Sequence, residues 1–279
     1  MDLKSKIILI SGPTASGKSK FAIQLAKKIN GEVINADSMQ IFKELKILTA
    51  RPQRNDLKNI KHHLYGFKSV KDNYSTGNWL NDAKKKINNI KKKNKIPILV
   101  GGTGLYFKAL IDGIVKIPDI PFTIRNRIRK KQSKIGQTKF YSELIKLDPL
   151  CKKKINKNDT QRSIRAYEVK KFTNKSLFDW YSETYSDFTQ DSFIKLHIDY
   201  PRDKLIEKIS FRTNEMLRDG AIQEAKRFYK LRIKKDLSSN KVIGLSEIKE
   251  YMDEKININE LKEKISIKTR QYAKRQSTW

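Results

Sequence analysis

The segment from Ile7 to Ser19, reading IILISGPTASGKS, limits the possible folds more than any other part of this chain. A compact run of β-branched and apolar residues, Lys6 to Ile10, stops at Ser11-Gly12, and Phe21, Leu25 and Ile29 then recur at four-residue spacing beside Ala22 and Ala26. That order is strand, glycine loop, amphipathic helix. The run Gly12-Pro13-Thr14-Ala15-Ser16-Gly17-Lys18-Ser19 fits G-x-x-x-x-G-K-[ST], a spacing that lets consecutive backbone N–H groups converge on a polyphosphate. Lys18 is expected to reach terminal phosphate oxygens. Ser19 opens a helix whose dipole favours anions and whose hydroxyl can bind Mg²⁺. A chance match in a glycine turn is the competing reading, and the strand before and helix after weigh against it.

Two more strands point the same way. Glu32 to Ala36 delivers Asp37-Ser38 at its carboxyl end, and Ile96 to Val100 delivers Gly101-Gly102-Thr103-Gly104, with the lysine-rich helix Asn78 to Lys93 as the crossover. Three strands ending in small or polar residues require one shared crevice. After Gly113 the texture changes: Pro118, Pro121 and a basic helical stretch from Arg125 to Lys131 lead into helical segments with few strand signals. Phe193 to Ile198 returns to the sheet, and the remainder from Asp203 reads as helices. The expected fold is α/β: a P-loop NTPase-like parallel sheet flanked by helices, formed by 1–116 and 191–279, with a helical insertion domain at 117–190.

Lys and Arg outnumber Asp and Glu by 61 to 30, giving a formal net charge of +31 and a pI near 10.0. Such a balance suits a polyanion, with nucleic acid the leading partner. A Lys-, Asn- and Ile-rich chain of the kind an AT-rich genome encodes also carries many merely solvated lysines, and the runs Lys84 to Lys86, Lys91 to Lys93 and Lys152 to Lys154 read most simply as exposed faces. The single cysteine, Cys151, excludes an internal disulfide framework and a Cys-rich zinc site. His62 and His63 are adjacent, lack metal-ligand spacing, and are read as structural. The apolar run at Ile7 is too short for a membrane span, so a soluble cytoplasmic protein is expected.

Three residues carry candidate chemistry. Asp37 is the sole acid at the three strand ends, and beside phosphates it can be a metal ligand, a helix cap or a base that takes a proton from a nucleophile. Thr103 follows a glycine pair that lets another group approach the backbone, where its hydroxyl either donates to an oxygen gaining charge or belongs to a tight strand-to-helix turn. An ordinary P-loop ATPase or GTPase presents an aspartate after an apolar strand; no acid directly follows Val100. Leu205, Ile209, Arg212 and Met216 share one helical face, and an arginine in an apolar stripe is either a structural ion pair or a diphosphate clamp. After the capping candidates Asn158 and Asp159, the run Gln161-Arg162-Ser163-Ile164-Arg165 offers groups suited to RNA, though an exposed helix face is the default.

In order, "GPTASGKS", "NADSMQIF", "LTARP", "HHLYGF", "ILVGGTGLYFKALIDGI", "NDTQRSIRAYEV" and "RQYAKRQSTW" resemble the tRNA dimethylallyltransferase family along nearly the whole chain. The resemblance implies that the loop holds dimethylallyl diphosphate, with Mg²⁺. Its prenyl group passes to the exocyclic N6 of the flipped-out adenosine on the 3′ side of the anticodon, in tRNAs reading codons that begin with U. It implies Asp37 as base, Thr103 as donor to the bridging oxygen, and Lys18 and Arg212 as neutralising cations. By motif position Asp37, Ser38, Met39, Gln40, Thr103, Arg125, Gln161, Arg162, Ser163, Ile164, Arg165, Lys274, Arg275 and Gln276 match segments that contact tRNA, with the insertion gripping the anticodon stem-loop. The family precedent is a monomer. The sequence departs from the pattern where Glu44 and Leu48 replace usual glycines, which bears on the geometry of the loop after Asp37. It also stops at Trp279, where relatives continue with basic residues, so a reduced or truncated form with a weaker hold on tRNA is expected. A nucleotide or small-molecule kinase and a non-catalytic RNA-binding protein are the readings from other classes.

Overall fold

A computed structural model describes residues 3–52 and 60–277; Trp279 lies outside them. By backbone contacts the chain forms two compact units, 1–111 with 188–279, and 112–187. These bounds differ from the expected 117 and 190. Gly113, at φ +90°, has the Tyr185 carbonyl where a Cβ would stand, 1.9 Å away, so the incoming and outgoing chains already run side by side there.

The first unit is built on a parallel sheet. Its strands are β1 (Ile7–Ser11), β2 (Gly31–Asn35), β3 (His62–His63), β4 (Ile96–Val100) and β5 (Phe193–His197), ordered β3-β2-β4-β1-β5. Ile8 aligns with Ile98, Val33 with Ile98, and Ile7 with Phe193, so β1 and β4 lie inside the sheet. Central parallel strands are covered on both faces, hence the unbroken apolar runs IILI and IPILV. The edge strand β5 alternates buried and more exposed positions instead. The sequence offered no signal for β3, which is two residues long and pairs with Val33 and Ile34.

Helix α1 (Lys18–Lys28) follows β1, α2 (Thr76–Lys91) precedes β4, and α3 (Gly104–Asp112) follows it. The crossover starts earlier than expected because Ser75 caps α2: its hydroxyl accepts the Asn78 N–H while Asn78 reaches back to the Ser75 N–H. Trp79 locks α2 to the sheet. It is fully buried, stacks on Tyr106 with centroids 4.2 Å apart, and donates its indole N–H to the Asn35 carbonyl at 2.9 Å. Among the described residues, four further helices belong to this unit: α8 (Arg202–Arg218), α9 (Ala221–Lys230), α10 (Leu245–Met252) and α11 (Ile258–Gln276).

The helical unit contains α4 (Phe122–Leu147), α5 (Cys151–Lys154), α6 (Thr160–Thr173) and α7 (Leu177–Tyr181). Helix α4 breaks at Gly136, whose φ of +77° admits few other residues. Helices α4 and α6 pack around Phe140, Leu144, Ala166 and Val169, all fully buried. Of the two capping candidates, Asp159 caps α6 by accepting the Arg162 N–H. Cys151 sits in this core, and burial pushes its thiol up to about 12, leaving it unreactive near neutrality.

Removing the Trp79 ring takes away a stacking partner and the donor to β2. Trp79→Ala is expected to cost about 3–5 kcal/mol, read as a lower urea midpoint at unchanged slope.

Candidate active site at the carboxyl edge of the sheet

Loops leaving β1, β2 and β4 converge, as parallel topology requires of a site at the carboxyl ends of the strands. The loop after β1 bends through Gly12 at φ +146°, Ala15 at φ +65° and Gly17 at φ +86°. Gly12 has the Ile198 carbonyl 2.8 Å from where its Cβ would be, so loop and chain meet too closely for a side chain. Ser16 Oγ is buried with no hydrogen-bond partner, a donor and acceptor left facing the loop. Lys18 folds back, its ammonium donating to the Pro13 carbonyl at 2.9 Å.

The glycine pair after β4 serves close approach. At Gly101 a Cβ would lie 2.1 Å from the Ala36 carbonyl, and at Gly102 it would lie 1.7 Å from the Gln276 amide. Gln276, on α11, ties the loops together: Oε1 accepts the Thr14 N–H at 2.7 Å and Nε2 donates to the Gly102 carbonyl at 3.1 Å.

The alternatives at the three candidates now separate. Asp37 caps no helix. Its Oδ1 accepts the Met39 N–H at 2.8 Å in a turn, while Oδ2 accepts no hydrogen bond among the described residues. Asn35 fixes this turn, accepting the Asp37 N–H at 2.9 Å and donating to the Asp37 and Leu64 carbonyls. Thr103 stands just before α3, yet its hydroxyl oxygen accepts the Ser38 N–H at 3.0 Å. Its own proton points to Ser38 Oγ at 3.3 Å and is free to be redirected. Arg212, on α8, has neutral partners, Thr14 Oγ1 at 3.2 Å and the Ala50 carbonyl at 3.5 Å, and no described carboxylate lies within ion-pair distance.

Lys18, Asp37, Arg212 and Thr14 line a cavity of about 1600 Å³, together with apolar Ile47, Met216, Val242 and Ile265. That exceeds the roughly 300–1,000 Å³ of a pocket for one small molecule. Burial takes the Lys18 ammonium down to about 8; the Asp37 charge opposes this and Arg212 adds to it. Burial also lowers Arg212, again against Asp37. The phenols of Tyr65, Tyr106 and Tyr272 are pushed up by burial and by Asp37, and so stay protonated. Among the described residues, ten lysines and arginines against five carboxylates line the cavity and leave it positive, suited to an anion carrying more than one charge.

The departures from the glycine pattern have partners. Glu44 accepts from Ser69 Oγ at 2.9 Å and Val70 N–H at 3.0 Å. Leu48 is buried and fills the space over Gly244, where a Cβ would meet its methyl at 2.7 Å. Neither has positive φ, so neither position needs glycine's freedom. The buried Glu224 carboxylate holds this segment by accepting the N–H groups of Lys46, Ile47 and Leu48 at 2.8–3.0 Å.

Met39, Gln40 and Arg275 line the same cavity, while Ser38 and Thr103 bond each other beside Asp37. Lys274 is exposed, whereas Gln276 is buried with both amide ends engaged. Arg125 and Gln161 to Arg165 belong to the helical unit. There Gln161 and Arg162 are exposed, Ile164 and Arg165 are partly exposed, and Ser163 is fully buried, its hydroxyl accepting from Gln137 at 3.1 Å. Sequence reasoning missed Tyr272, which lines the cavity, and Glu224; the sole signal was Tyr272's place one turn before Gln276 on a helix. Among the described residues no group of three His, Cys, Asp or Glu is placed to hold a metal.

Fold and cavity together define a P-loop enzyme whose anion site lies beside a carboxylate with one oxygen to spare. A family model described as IPP transferase matches residues 40–279. The chain is 62% identical, over its whole length and 89% of the relative's, to the tRNA dimethylallyltransferase of Pelagibacter ubique (strain HTCC1062). It is 42% identical, over 99% of the chain and 76% of the relative's, to that of Rickettsia massiliae (strain Mtu5). The full-length tRNA isopentenylpyrophosphate transferase of Bacillus halodurans matches with TM-score 0.68 and 32% identity, over 99% of this chain and 86% of its own. A eukaryotic dimethylallyltransferase acting on tRNA matches with TM-score 0.84 and 30% identity, over 98% and 69%. The chain belongs to the IPP transferase family.

Lys18 provides a direct test of the cavity's electrostatics. Its depressed pKa means it is mostly charged at pH 7 and loses its proton as pH rises through about 8. Trace labelling with acetic anhydride, read by mass spectrometry, is expected to give Lys18 a midpoint near 8. Asp37→Asn, which removes the opposing charge, is expected to move that midpoint lower.

Proposed function

We propose that this chain transfers the dimethylallyl group of dimethylallyl diphosphate to N6 of the adenosine on the 3′ side of a tRNA anticodon, releasing diphosphate. One observation carries the reading: the loop, Lys18 and Arg212 form an anion cradle in the same cavity as Asp37, whose Oδ1 is held by Met39 and whose Oδ2 is unengaged among the described residues. A cradle alone fits any phosphate. A fixed carboxylate beside it fits an acceptor that must lose a proton.

In this reading the loop amides from Gly12 to Ser19, Lys18 and Arg212 hold the diphosphate, exchanging their present neutral partners for its oxygens. The C–O bond between prenyl carbon and diphosphate breaks, the C–N bond to adenine forms, and the N6 proton passes to Asp37. Thr103, one lone pair already filled by the Ser38 N–H, turns its own proton toward the bridging oxygen where leaving-group charge appears. The protonated Tyr272 ring, which lines the cavity, helps to exclude water from the allylic carbon.

The residues fit a Mg²⁺ ion held mainly by diphosphate oxygens and water, since Mg²⁺ needs few protein ligands when phosphates supply the rest, and the Ser19 hydroxyl opens α1 beside the loop. When bound, that ion neutralises leaving-group charge.

Ser38, Met39, Gln40, Lys274 and Arg275 of the sheet unit, and Arg125, Gln161, Arg162, Ile164 and Arg165 of the helical unit, are the groups assigned to tRNA. Ser163 and Gln276 support them from within, because both are buried and bonded inward. The net charge of +31 favours this partner, and tRNA as substrate implies the cytoplasm. No described helix is long and apolar enough to cross a membrane.

The test is transfer of label from radioactive dimethylallyl diphosphate to unmodified tRNA, with Mg²⁺ and without ATP. Label in the tRNA is expected. Asp37→Ala should lower kcat by about 100-fold or more, and Thr103→Ala by about 100-fold, with tRNA still bound. Full activity in Asp37→Ala would overturn the assignment of the base, and binding without transfer by the unaltered chain would leave an RNA-binding protein.

A further inference from the structure

The helical unit contains a second concentration of charge. Glu168 on α6 is 3% exposed, and three arginines surround its carboxylate: Arg125 Nε at 3.9 Å and Arg165 Nη1 at 3.8 Å from Oε2, and Arg129 Nε at 3.5 Å from Oε1. Glu168 Oε1 and Arg125 Nε are buried and make no hydrogen bond. The guanidinium-bearing side chains are 37%, 49% and 36% exposed, so each meets the carboxylate and still presents part of its surface to solvent.

As a strut between α4 and α6 this arrangement is poor. A buried carboxylate held beyond good hydrogen-bond range bears the desolvation cost without the full return. Burial raises the Glu168 carboxyl despite Arg129, Arg125 and Arg165, and burial together with the neighbouring Arg125 lowers Arg165. Three guanidinium groups lie within 4 Å of this one carboxylate. Arg125 and Arg129 lie four residues apart on one face of α4, three and seven residues after Phe122, whose ring is 70% exposed. Planar donors fanned over a solvent-facing patch beside an open aromatic ring match a ribose–phosphate backbone, where anionic oxygens come in succession and bases can stack.

We infer that Arg125, Arg129 and Arg165 act as one clamp on the phosphates of the RNA substrate, and that Glu168 is the positioning residue that sets their spacing. The inference rests on tRNA as the substrate and extends that reading to Arg129 and Glu168. Glu168 touches no RNA. Its charge draws three mutually repelling guanidinium groups into one patch, and its burial keeps the phosphates from approaching it.

The experiment is steady-state prenyl transfer at a series of salt concentrations by the unaltered chain, Glu168→Gln and Arg129→Gln, with thermal melts of each. Glu168→Gln is expected to raise KM for tRNA about tenfold, leaving kcat and KM for dimethylallyl diphosphate unchanged. Arg129→Gln is expected to make the slope of log KM against log salt shallower by about 0.7–0.9, one phosphate contact, while Arg129→Lys keeps the slope. If Glu168→Gln does not fold, the Arg129 slope decides alone. A lower melting temperature with tRNA KM and salt slope unmoved in both variants would make the cluster a structural tie and overturn the inference while leaving the transferase reading intact. No transfer to tRNA by the unaltered chain would remove both.

Discussion

The candidate site is arranged around Lys18 and Arg212, two desolvated cations brought into one space with the Asp37 carboxylate. Burial weakens the hold of both Lys18 and Arg212 on their protons, Arg212 adds to this at Lys18, and Asp37 opposes it at both without closing a salt bridge to either. A site built this way is under electrostatic tension, relieved when a multiply charged anion enters. The folded protein tolerates it because Asp37 is fixed from behind by Asn35, Asn35 by the Leu64 carbonyl and Trp79, and Trp79 by stacking on Tyr106. The rigidity of the carboxylate is inherited from the core.

Close approach of backbones is the second device. Gly12, Gly101 and Gly102 are small because a carbonyl or an amide occupies the volume of the missing Cβ, and only at Gly12 does the backbone angle also matter. Through Gly101 and Gly102 the end of β4 touches the end of β2 and the amide of Gln276, so loops separated by most of the chain become one surface. Glu224 does similar work for the segment 46–48, replacing a turn's internal hydrogen bonds with a carboxylate from another helix. This explains how Glu44 and Leu48 stand where the family pattern has glycine: the loop is held by side chains outside it and not by backbone freedom.

Local chemistry made part of this legible in advance. The glycine loop, the apolar strands and the stripe carrying Arg212 announce themselves because each depends on near neighbours: loop spacing, strand composition, helical periodicity. The bounds of the helical unit were read from proline and charge, which mark a change in texture, whereas the unit itself gathers 112–187, with Gly113 against the Tyr185 carbonyl inside it. Glu32 was invisible as a structural group, yet it is buried between His63 at 2.7 Å and Lys95 at 3.1 Å, which hold its carboxyl below the usual range although burial alone would raise it. Nothing in a lone glutamate within a strand foretells its partners.

The sequence by itself determined that this chain folds as an α/β protein around a phosphate loop, and it determined the residues able to do chemistry there, because those properties follow from short-range spacing and residue type. Only the tertiary structure decided what each does. It gave Thr103 to Ser38 instead of to its own helix, left Asp37 one unengaged oxygen, denied Arg212 an acidic partner, and turned Ser163 and Gln276 inward. Those outcomes depend on which distant groups fill a side chain's hydrogen bonds, and that is fixed by packing across the sheet, where residues far apart in the chain compete for the same few ångströms.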